Sequence, residues 1–313
     1  MSAPQVWFNG CPVEAAADNV VGMLTDRGTS FGDGVFETML VCLPGVSPSH
    51  REPLSFIHLS DLHLRRLQRG VESLQLPVNI DNVKNELRTV IASLVSEKPD
   101  GSGVRHFVLK LLVSRGASAF GYAPGTSDCQ RTVIVSSHRL PSVTDPRLLE
   151  NVVFSAVRLS KQPLLAGLKH CNRLEQVLAQ REMAARRADE AIMRDTDGAI
   201  IEGVACNLFV LVDGELITPA LQNCGVSGVL REFILQDLAS RASLAVSESP
   251  VDEDFLRRAD AVFLTNAIHG IRQLASLHYD NGDIQRWPVN PVVQELATRV
   301  LESMSRSIEV SGA

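Results

Sequence analysis

Strand-like and helix-like apolar segments both occur on each side of a proline-containing break. Among the features of the sequence, this arrangement restricts the possible folds most strongly. Residues 107–113 and 132–136 are short and rich in Val, Ile and Leu, which predicts buried strands. Residues 57–76 instead repeat apolar side chains at helical spacing. Pro141 and Pro146 interrupt the pattern once. Strands and helices mixed in this way predict an α/β or α+β fold with two domains.

The proline-containing break gives the predicted domain organisation. We place a linker at residues 138–148, between an N-terminal domain of residues 1–137 and a C-terminal domain of residues 149–313. Further strands are predicted at 35–42, 191–193, 200–202, 208–212 and 261–265. Further helices are predicted at 81–94 with Asp81 as its N-cap, at 170–187, from Gly228 onward, and at 292–304.

Composition excludes several classes of protein. The 313 residues are 45% hydrophobic and 21% charged, which is too apolar for a disordered chain, and the net charge of −6 argues against a nucleic-acid surface. No apolar run approaches the roughly 18 residues of a membrane helix, and no signal peptide is expected. The six cysteines are scattered without metal-ligand spacing, so we expect free thiols, no metal site and a cytoplasmic protein.

A glycine-rich segment, residues 26–34, precedes the predicted strand at 35–42. It has three glycines within seven residues, but no Gly-Lys-Ser/Thr follows, so it is not a phosphate-binding P-loop. A tight turn that needs positive φ angles explains the glycines equally well.

A single lysine, Lys169, follows the apolar segment 164–168. A lysine held where water is scarce loses part of its preference for the charged form, and its amine then becomes available as a nucleophile and base. The alternative is a surface lysine whose stem lies along apolar neighbours.

Two other segments suggest groups that could hold a ligand. Glu202 ends the apolar segment 200–203, and a carboxylate buried there would need a cationic partner such as a protonated ring nitrogen. Residues 224–231 form a glycine-containing turn that leads into a helix, where free backbone N–H groups can hold a phosphate. An exposed carboxylate and an ordinary loop-to-helix junction are the alternatives.

A Schiff-base lysine, a carboxylate for a ring nitrogen and a phosphate cradle are together what a pyridoxal-phosphate site requires. With these residues the sequence resembles the fold-type IV pyridoxal-phosphate enzymes, which include branched-chain and D-amino-acid aminotransferases and aminodeoxychorismate lyases. The resemblance runs from Phe8-Asn9-Gly10 to Leu264-Thr265-Asn266. Residues 165–178 (LAGLKHCNRLEQVL) are its most specific part. They resemble the lyases more than the aminotransferases, as do Ser114-Arg115-Gly116 and Gly121-Tyr122.

The resemblance implies a small N-terminal α/β domain, a larger C-terminal domain with a mixed, barrel-like sheet, and a set of cofactor contacts. Lys169 is expected to hold pyridoxal 5'-phosphate covalently and to act with Glu202, which pairs with the pyridine nitrogen, as a catalytic residue. The phosphate is expected to contact the Arg66 side chain, the backbone N–H groups of Val229 and Leu230, and the Asn266 side chain, and Arg173 is expected near the ring oxygen. Aminotransferases tend to have Thr at the position of Asn266 and Tyr near that of Arg173, so the chain departs from them at two contacts.

The resemblance also implies a small-molecule substrate, a site between the two domains and a homodimer, with no nucleic-acid or membrane partner. Thr38, Lys110, Arg115 and Tyr122 are the candidate substrate contacts. The expected activity is elimination of pyruvate from 4-amino-4-deoxychorismate to give 4-aminobenzoate, a folate precursor. An aminotransferase of the same fold, acting on D-amino acids or branched-chain amino acids, is the alternative, and a non-catalytic pyridoxal-phosphate-binding protein is the remote one.

Overall fold

The computed structural model describes residues 7–8, 11–12, 25–43, 52–96, 105–117, 121–124, 131–140 and 148–306. Three stretches discussed above lie outside these ranges: Asn9 and Gly10 at the start of the resemblance, Cys129, which is one of the six cysteines, and residues 141–147 of the predicted linker. No helix in the described part of the chain is long and apolar enough to cross a membrane.

The N-terminal half is built on a three-stranded antiparallel sheet. Its strands are β3 (Gly34–Leu43), β4 (Arg105–Ser114) and β5 (Arg131–Leu140), after a short pair formed by β1 (Trp7–Phe8) and β2 (Cys11–Pro12). The helical elements are α1 (Arg27–Phe31), a 3-10 turn (Pro53–Phe56), α2 (Ser60–Ser73) and α3 (Ile80–Ser96). Apolar side chains of β3, β4, α2 and α3 form one core on this sheet.

The C-terminal half contains a ten-stranded mixed sheet. Its strands are β6 (Val152–Leu159), β7 (Glu190–Asp195), β8 (Ile200–Gly203), β9 (Asn207–Val212), β10 (Glu215–Thr218), β11 (Ala245–Glu248), β12 (Ala261–Asn266), β13 (Gly270–Gln273), β14 (Ser276–His278) and β15 (Ile284–Arg286). The helices are α4 (Leu174–Arg186), α5 (Val229–Phe233), which continues through a π-helical turn (Ile234–Leu238) into α6 (Ala239–Arg241), then α7 (Glu253–Arg257) and α8 (Pro291–Arg306).

Part of this large sheet curves round on itself. Strand pairing runs from β6 through β7, β8, β9 and β12 to β13. A bridge between Leu149 and Leu274 then joins the end of β13 to the residues just before β6. The paired strands therefore form a ring, which is the barrel-like arrangement that the resemblance implies.

The predicted fold class is confirmed, since a small antiparallel sheet and a larger mixed sheet form a mixed α/β structure. The division into two domains stays a prediction, and β5 runs to Leu140, inside the predicted linker. The predicted cap of the helix at 81–94 is wrong. Asn79 caps this helix, because its Oδ1 accepts the backbone N–H of Asp81 at 2.8 Å.

Candidate active site

A cavity of about 410 Å³ lies where the small sheet meets the large one. Its walls come from β3 and β4 on one side and from β8, β9, β12 and the start of α5 on the other. The cavity brings together most of the predicted site residues. Those that line it are Thr38, Arg66, Lys169, Arg173, Glu202, Val229, Leu230 and Asn266.

Backbone hydrogen bonds fix the segment that carries Lys169. The amide of Phe36 donates to the Lys169 carbonyl at 2.9 Å, which ties the segment to β3. On the other side, Gly167 donates to the Gly225 carbonyl and accepts from Ser227, both at 3.0 Å. The predicted helix at 170–187 begins only at Leu174, because the preceding residues form this bridge between the two sheets.

The Lys169 amine lies in a half-buried position that lowers its pKa. Its Nζ is 4.4 Å from the centre of the Phe36 ring. Removal from water is the main cause of the shift and the charge of Arg66 adds to it, so that the pKa falls to about 8. A larger share of this amine is therefore neutral near pH 7–8 than in an exposed lysine.

Arg173 holds the backbone on both sides of Lys169. Its Nε donates to the His170 carbonyl at 2.9 Å, and its Nη2 donates to the Leu168 carbonyl at 2.8 Å. Burial lowers the pKa of the guanidinium from its ordinary value. The side chain lines the cavity, so it both faces a ligand and orients the lysine.

Glu202 is a buried carboxylate at the opposite wall, with 4% of its surface exposed. Its Oε2 accepts the Val226 N–H at 2.9 Å and the Asn207 amide at 3.4 Å. Burial raises the pKa of Glu202 to about 7, against the lowering effect of the Val226 amide. Gly225 has φ +85°, and a Cβ there would lie 3.3 Å from Glu202 Oε2, so only glycine suits this turn.

Arg66 enters the cavity from α2 and is held by a carboxylate behind it. Its Nε and Nη2 donate to Glu37 at 2.8 and 2.5 Å, and its Nη1 donates to the Ser227 carbonyl at 3.1 Å. His63, one helical turn earlier, places Nδ1 2.6 Å from Glu37 Oε2. All three of these side chains, Glu37, His63 and Arg66, are buried.

The start of α5 supplies hydrogen-bond donors at the same end of the cavity. No side chain caps the helix, and the N–H groups of Val229 and Leu230 have no acceptor among the described residues. The Thr265 hydroxyl is buried and also lacks a partner within the described chain. A Cβ at Gly228 would lie 2.0 Å from Asn207 Oδ1, so only a glycine allows the backbone before α5 to pass this close to Asn207.

Asn266 lies beside these donors but its amide is already used locally. Its Oδ1 accepts the backbone N–H groups of Ile268 and His269 at 3.0 and 2.7 Å. Its Nδ2 donates to the sulfur of Cys206 at 3.3 Å. Asn266 therefore shapes the turn that closes this end of the cavity, and a direct contact with a ligand stays a prediction.

The candidate substrate residues are placed differently from one another. Thr38 lines the cavity. Lys110, its partner across the β3–β4 pair, does not line it, but its Nζ lies 5.3 Å from the centre of the Phe36 ring, which does. Arg115 does not line it, because its guanidinium is bound to Asp33 and to two backbone carbonyls. Tyr122 also lies outside and is 86% exposed.

Sequence reasoning missed Phe36, Glu37, His63 and Thr265. Glu37 is the one charged residue in the apolar run of β3, and a carboxylate in such a run needs a partner. His63 and Arg66 stand three residues apart, on one face of a helix. These two patterns could have identified the cluster. No comparable signal marks Thr265.

Taken together, the two sheets and the lysine in the cavity between them define an enzyme of mixed α/β fold. The chain belongs to the class IV aminotransferase family, whose family model, Amino-transferase class IV, matches residues 34–277.

Similar proteins include both lyases and aminotransferases. A crystal structure of 4-amino-4-deoxychorismate lyase from Pseudomonas aeruginosa matches with a TM-score of 0.75 and 32% identity, over 95% of this chain and 98% of that one. Aminodeoxychorismate lyase of Vibrio harveyi is 28% identical over 93% of this chain and 97% of the relative. A putative branched-chain-amino-acid aminotransferase of Methanocaldococcus jannaschii is 26% identical over 83% of each chain.

Proposed function

We propose that the cavity binds pyridoxal 5'-phosphate. The donors at one end suit a phosphate, and none of them has an acceptor among the described residues: two N–H groups of Arg66, the N–H groups at the start of α5, and the Thr265 hydroxyl. The Lys169 amine and the Glu202 carboxylate line the same cavity. An anionic group, a carbonyl carbon and a basic ring nitrogen are therefore each matched by a residue present in the cavity.

Each residue then has a stated task. Lys169 would hold the cofactor covalently, Arg66 with Val229 and Leu230 would hold its phosphate, and Glu202 would pair with its ring nitrogen. When bound, pyridoxal phosphate draws electrons away from the carbon that carries the substrate's amine.

The two titrating groups can then move and hold protons. With a pKa of about 8, Lys169 is partly neutral at pH 7–8, so its Nζ can accept a proton from that carbon. Glu202 has a pKa of about 7 in its buried position, and a cationic partner would favour its ionised form. The clamp by Arg173 keeps Lys169 in place while it exchanges the proton.

We further propose that the reaction is that of a 4-amino-4-deoxychorismate lyase. The observation that carries this is the likeness to the Pseudomonas aeruginosa lyase over nearly the whole of both chains. In the substrate, proton removal from the amine-bearing carbon allows the neighbouring C–O bond to break, and the enolpyruvyl group leaves with the bonding electrons. A proton returned to that group converts it to pyruvate. The remaining ring becomes aromatic 4-aminobenzoate, which makes the step strongly favourable.

The substrate carries carboxylates, and Lys110 supplies a cation beside the cavity wall, because its Nζ lies 5.3 Å from the centre of the Phe36 ring. Thr38 and Lys110 are cross-strand neighbours on the sheet that forms one wall of the cavity, and we propose that they contact the substrate. Roles for Arg115 and Tyr122 would require a neighbouring subunit or a change of conformation, since the Arg115 guanidinium is bound to Asp33 and the Tyr122 side chain is 86% exposed.

A cytoplasmic homodimer is part of the proposal. Helix α4 exposes Leu174, Val177 and Leu178, which share one face because they are three and four residues apart. Leu164, which lies just before the lysine segment, is 82% exposed. An apolar face of this kind suits a subunit contact, and sedimentation of the purified protein tests it.

The test of the function is a direct assay. Purified protein supplied with pyridoxal phosphate and enzymatically prepared 4-amino-4-deoxychorismate is expected to release pyruvate and 4-aminobenzoate in equal amounts. A protein that binds the cofactor but releases neither product is not this lyase. That outcome would support the proposed cofactor site but would rule out the proposed lyase reaction.

A further inference from the structure

A buried carboxylate outside the cavity, Glu37, holds the arginine that faces it. Only 1% of the Glu37 surface is exposed, and the residue does not line the cavity. Its two oxygens accept hydrogen bonds from Arg66 at 2.8 and 2.5 Å. Two parallel bonds between a guanidinium and a carboxylate fix the plane of the guanidinium.

The charge state of this cluster follows from its contacts. Burial alone would raise the pKa of Glu37, but Arg66 and His63 lower it to about 2, so Glu37 is ionised near neutral pH. Burial lowers the pKa of His63, so the ring is neutral. A neutral ring that faces a carboxylate carries its proton on Nδ1, and His63 therefore donates to Glu37 at 2.6 Å.

The hydrogen bonds of Arg66 leave a defined number of donors for a ligand. A guanidinium has five N–H groups. Two of them bind Glu37 and a third binds the Ser227 carbonyl. The other two N–H groups have no acceptor in the part of the chain that the structure describes, so they remain for a ligand in the cavity. They are held in a fixed direction because the other three are occupied.

We infer that Glu37 is a positioning residue for phosphate recognition, acting through Arg66. The inference rests on the proposed pyridoxal-phosphate site and adds a specific claim to it. Glu37 sets how strongly the cavity prefers a phosphorylated ligand over the same ligand without phosphate. Without the carboxylate the guanidinium can turn, and two of its donors lose their acceptor inside the protein.

Two ligands that differ only in the phosphate test this role. Apoprotein is titrated with pyridoxal 5'-phosphate or with pyridoxal, and the covalent adduct is trapped with borohydride and quantified by mass spectrometry. For Glu37→Gln, the affinity for the phosphorylated ligand is expected to fall about tenfold or more, while that for pyridoxal changes by less than about twofold. The ratio of the two affinities is the readout, because a general loss of folded structure would lower both.

Glu232→Gln is the matched control. Glu232 is also a buried carboxylate that holds arginines of α2, since it accepts from Arg69 at 3.1 Å and lies 3.7 Å from Arg65. The Glu232 carboxylate forms no hydrogen bond with Arg66 and does not line the cavity. Its substitution removes a negative charge from the first turn of α5, so the preference for the phosphorylated ligand is expected to stay at or slightly above the wild-type level, and not to fall.

Glu37→Asp covers the case in which Glu37→Gln does not fold. It keeps the charge but withdraws the carboxylate by one methylene, so the preference should fall partway. A wild-type preference in either folded Glu37 variant, or an equal loss for both ligands, overturns the inference. If the wild-type protein forms no adduct with pyridoxal phosphate, the proposed function itself fails, and the two failures are thus distinguishable.

Discussion

The Lys169 amine lies against the face of the Phe36 ring, 4.4 Å from its centre. The face of an aromatic ring favours a cation, whereas removal from water disfavours one. Removal from water, with the charge of Arg66 adding to it, lowers the pKa of Lys169 to about 8. Phe36 therefore covers the amine and limits its contact with water.

This lowered pKa predicts the pH dependence of Lys169 modification. An amine-directed reagent attacks only the neutral form, so the rate at Lys169 in the apoprotein should rise up to about pH 8 and then level off. At pH 8 the neutral fraction should exceed that of an ordinary lysine on the order of a hundredfold. Peptide mapping after brief labelling gives the rate.

Lys161 is the internal control in the same labelling experiment. Hydrogen bonds from its amine to Asp197 and Asp195 raise the pKa of Lys161. Its labelling should therefore still be increasing above pH 10. Parallel pH curves for the two lysines would contradict the lowered pKa of Lys169.

Lys169→Ala is expected to abolish covalent cofactor attachment and turnover while the chain stays folded. The wild-type protein with cofactor should be yellow, and the variant should lose this absorbance. Lys161→Ala, a change at a surface ion pair, should keep both. A borohydride-reducible adduct in the Lys169 variant would mean that another lysine is the anchor.

Glu202→Gln is expected to slow turnover and largely preserve cofactor binding, since a neutral amide cannot keep a ring nitrogen protonated. A loss of roughly two orders of magnitude in kcat, about 3 kcal/mol, is expected. Glu182→Gln serves as the control, because that carboxylate binds Ser155 and Arg186 away from the cavity. Wild-type kcat in the Glu202 variant would leave that carboxylate with a structural role only.

Turnover without a keto-acid acceptor separates the lyase from an aminotransferase. A lyase regenerates its starting form in each cycle, whereas an aminotransferase stops after one half-reaction. We expect sustained pyruvate release from 4-amino-4-deoxychorismate with no acceptor present, and slow or no transamination of D-alanine or branched-chain amino acids. If the protein transaminates these amino acids efficiently and releases no pyruvate, the conclusions about the fold and the cofactor stand, but the protein is not a lyase.

Sequence reasoning located the residues whose local pattern is unusual. Lys169 after an apolar segment and Glu202 at the end of a strand both signal a group that needs a partner, and both line the cavity. The same rule applied to Glu37 would have found a third such group.

The rest of the site depends on contacts between distant parts of the chain. Arg66 and the Ser227 carbonyl meet across 161 residues, and no periodicity predicts such a pairing. The barrel-like ring likewise depends on the bridge between Leu149 and Leu274. Arg115 illustrates the opposite case. Its guanidinium has the chemistry to bind a substrate carboxylate, but it is already paired with Asp33.

The segment around Lys169 has a consequence for how ligands enter. It is hydrogen-bonded to β3 through Phe36 and to the loop before α5 through Gly225 and Ser227. Separation of the two sheets would break these bonds on both sides of the reactive lysine. Ligand exchange should therefore proceed through the mouth of the cavity without hinge opening, and the amide protons of Phe36, Gly167 and Ser227 should exchange with solvent together, as one slow unit.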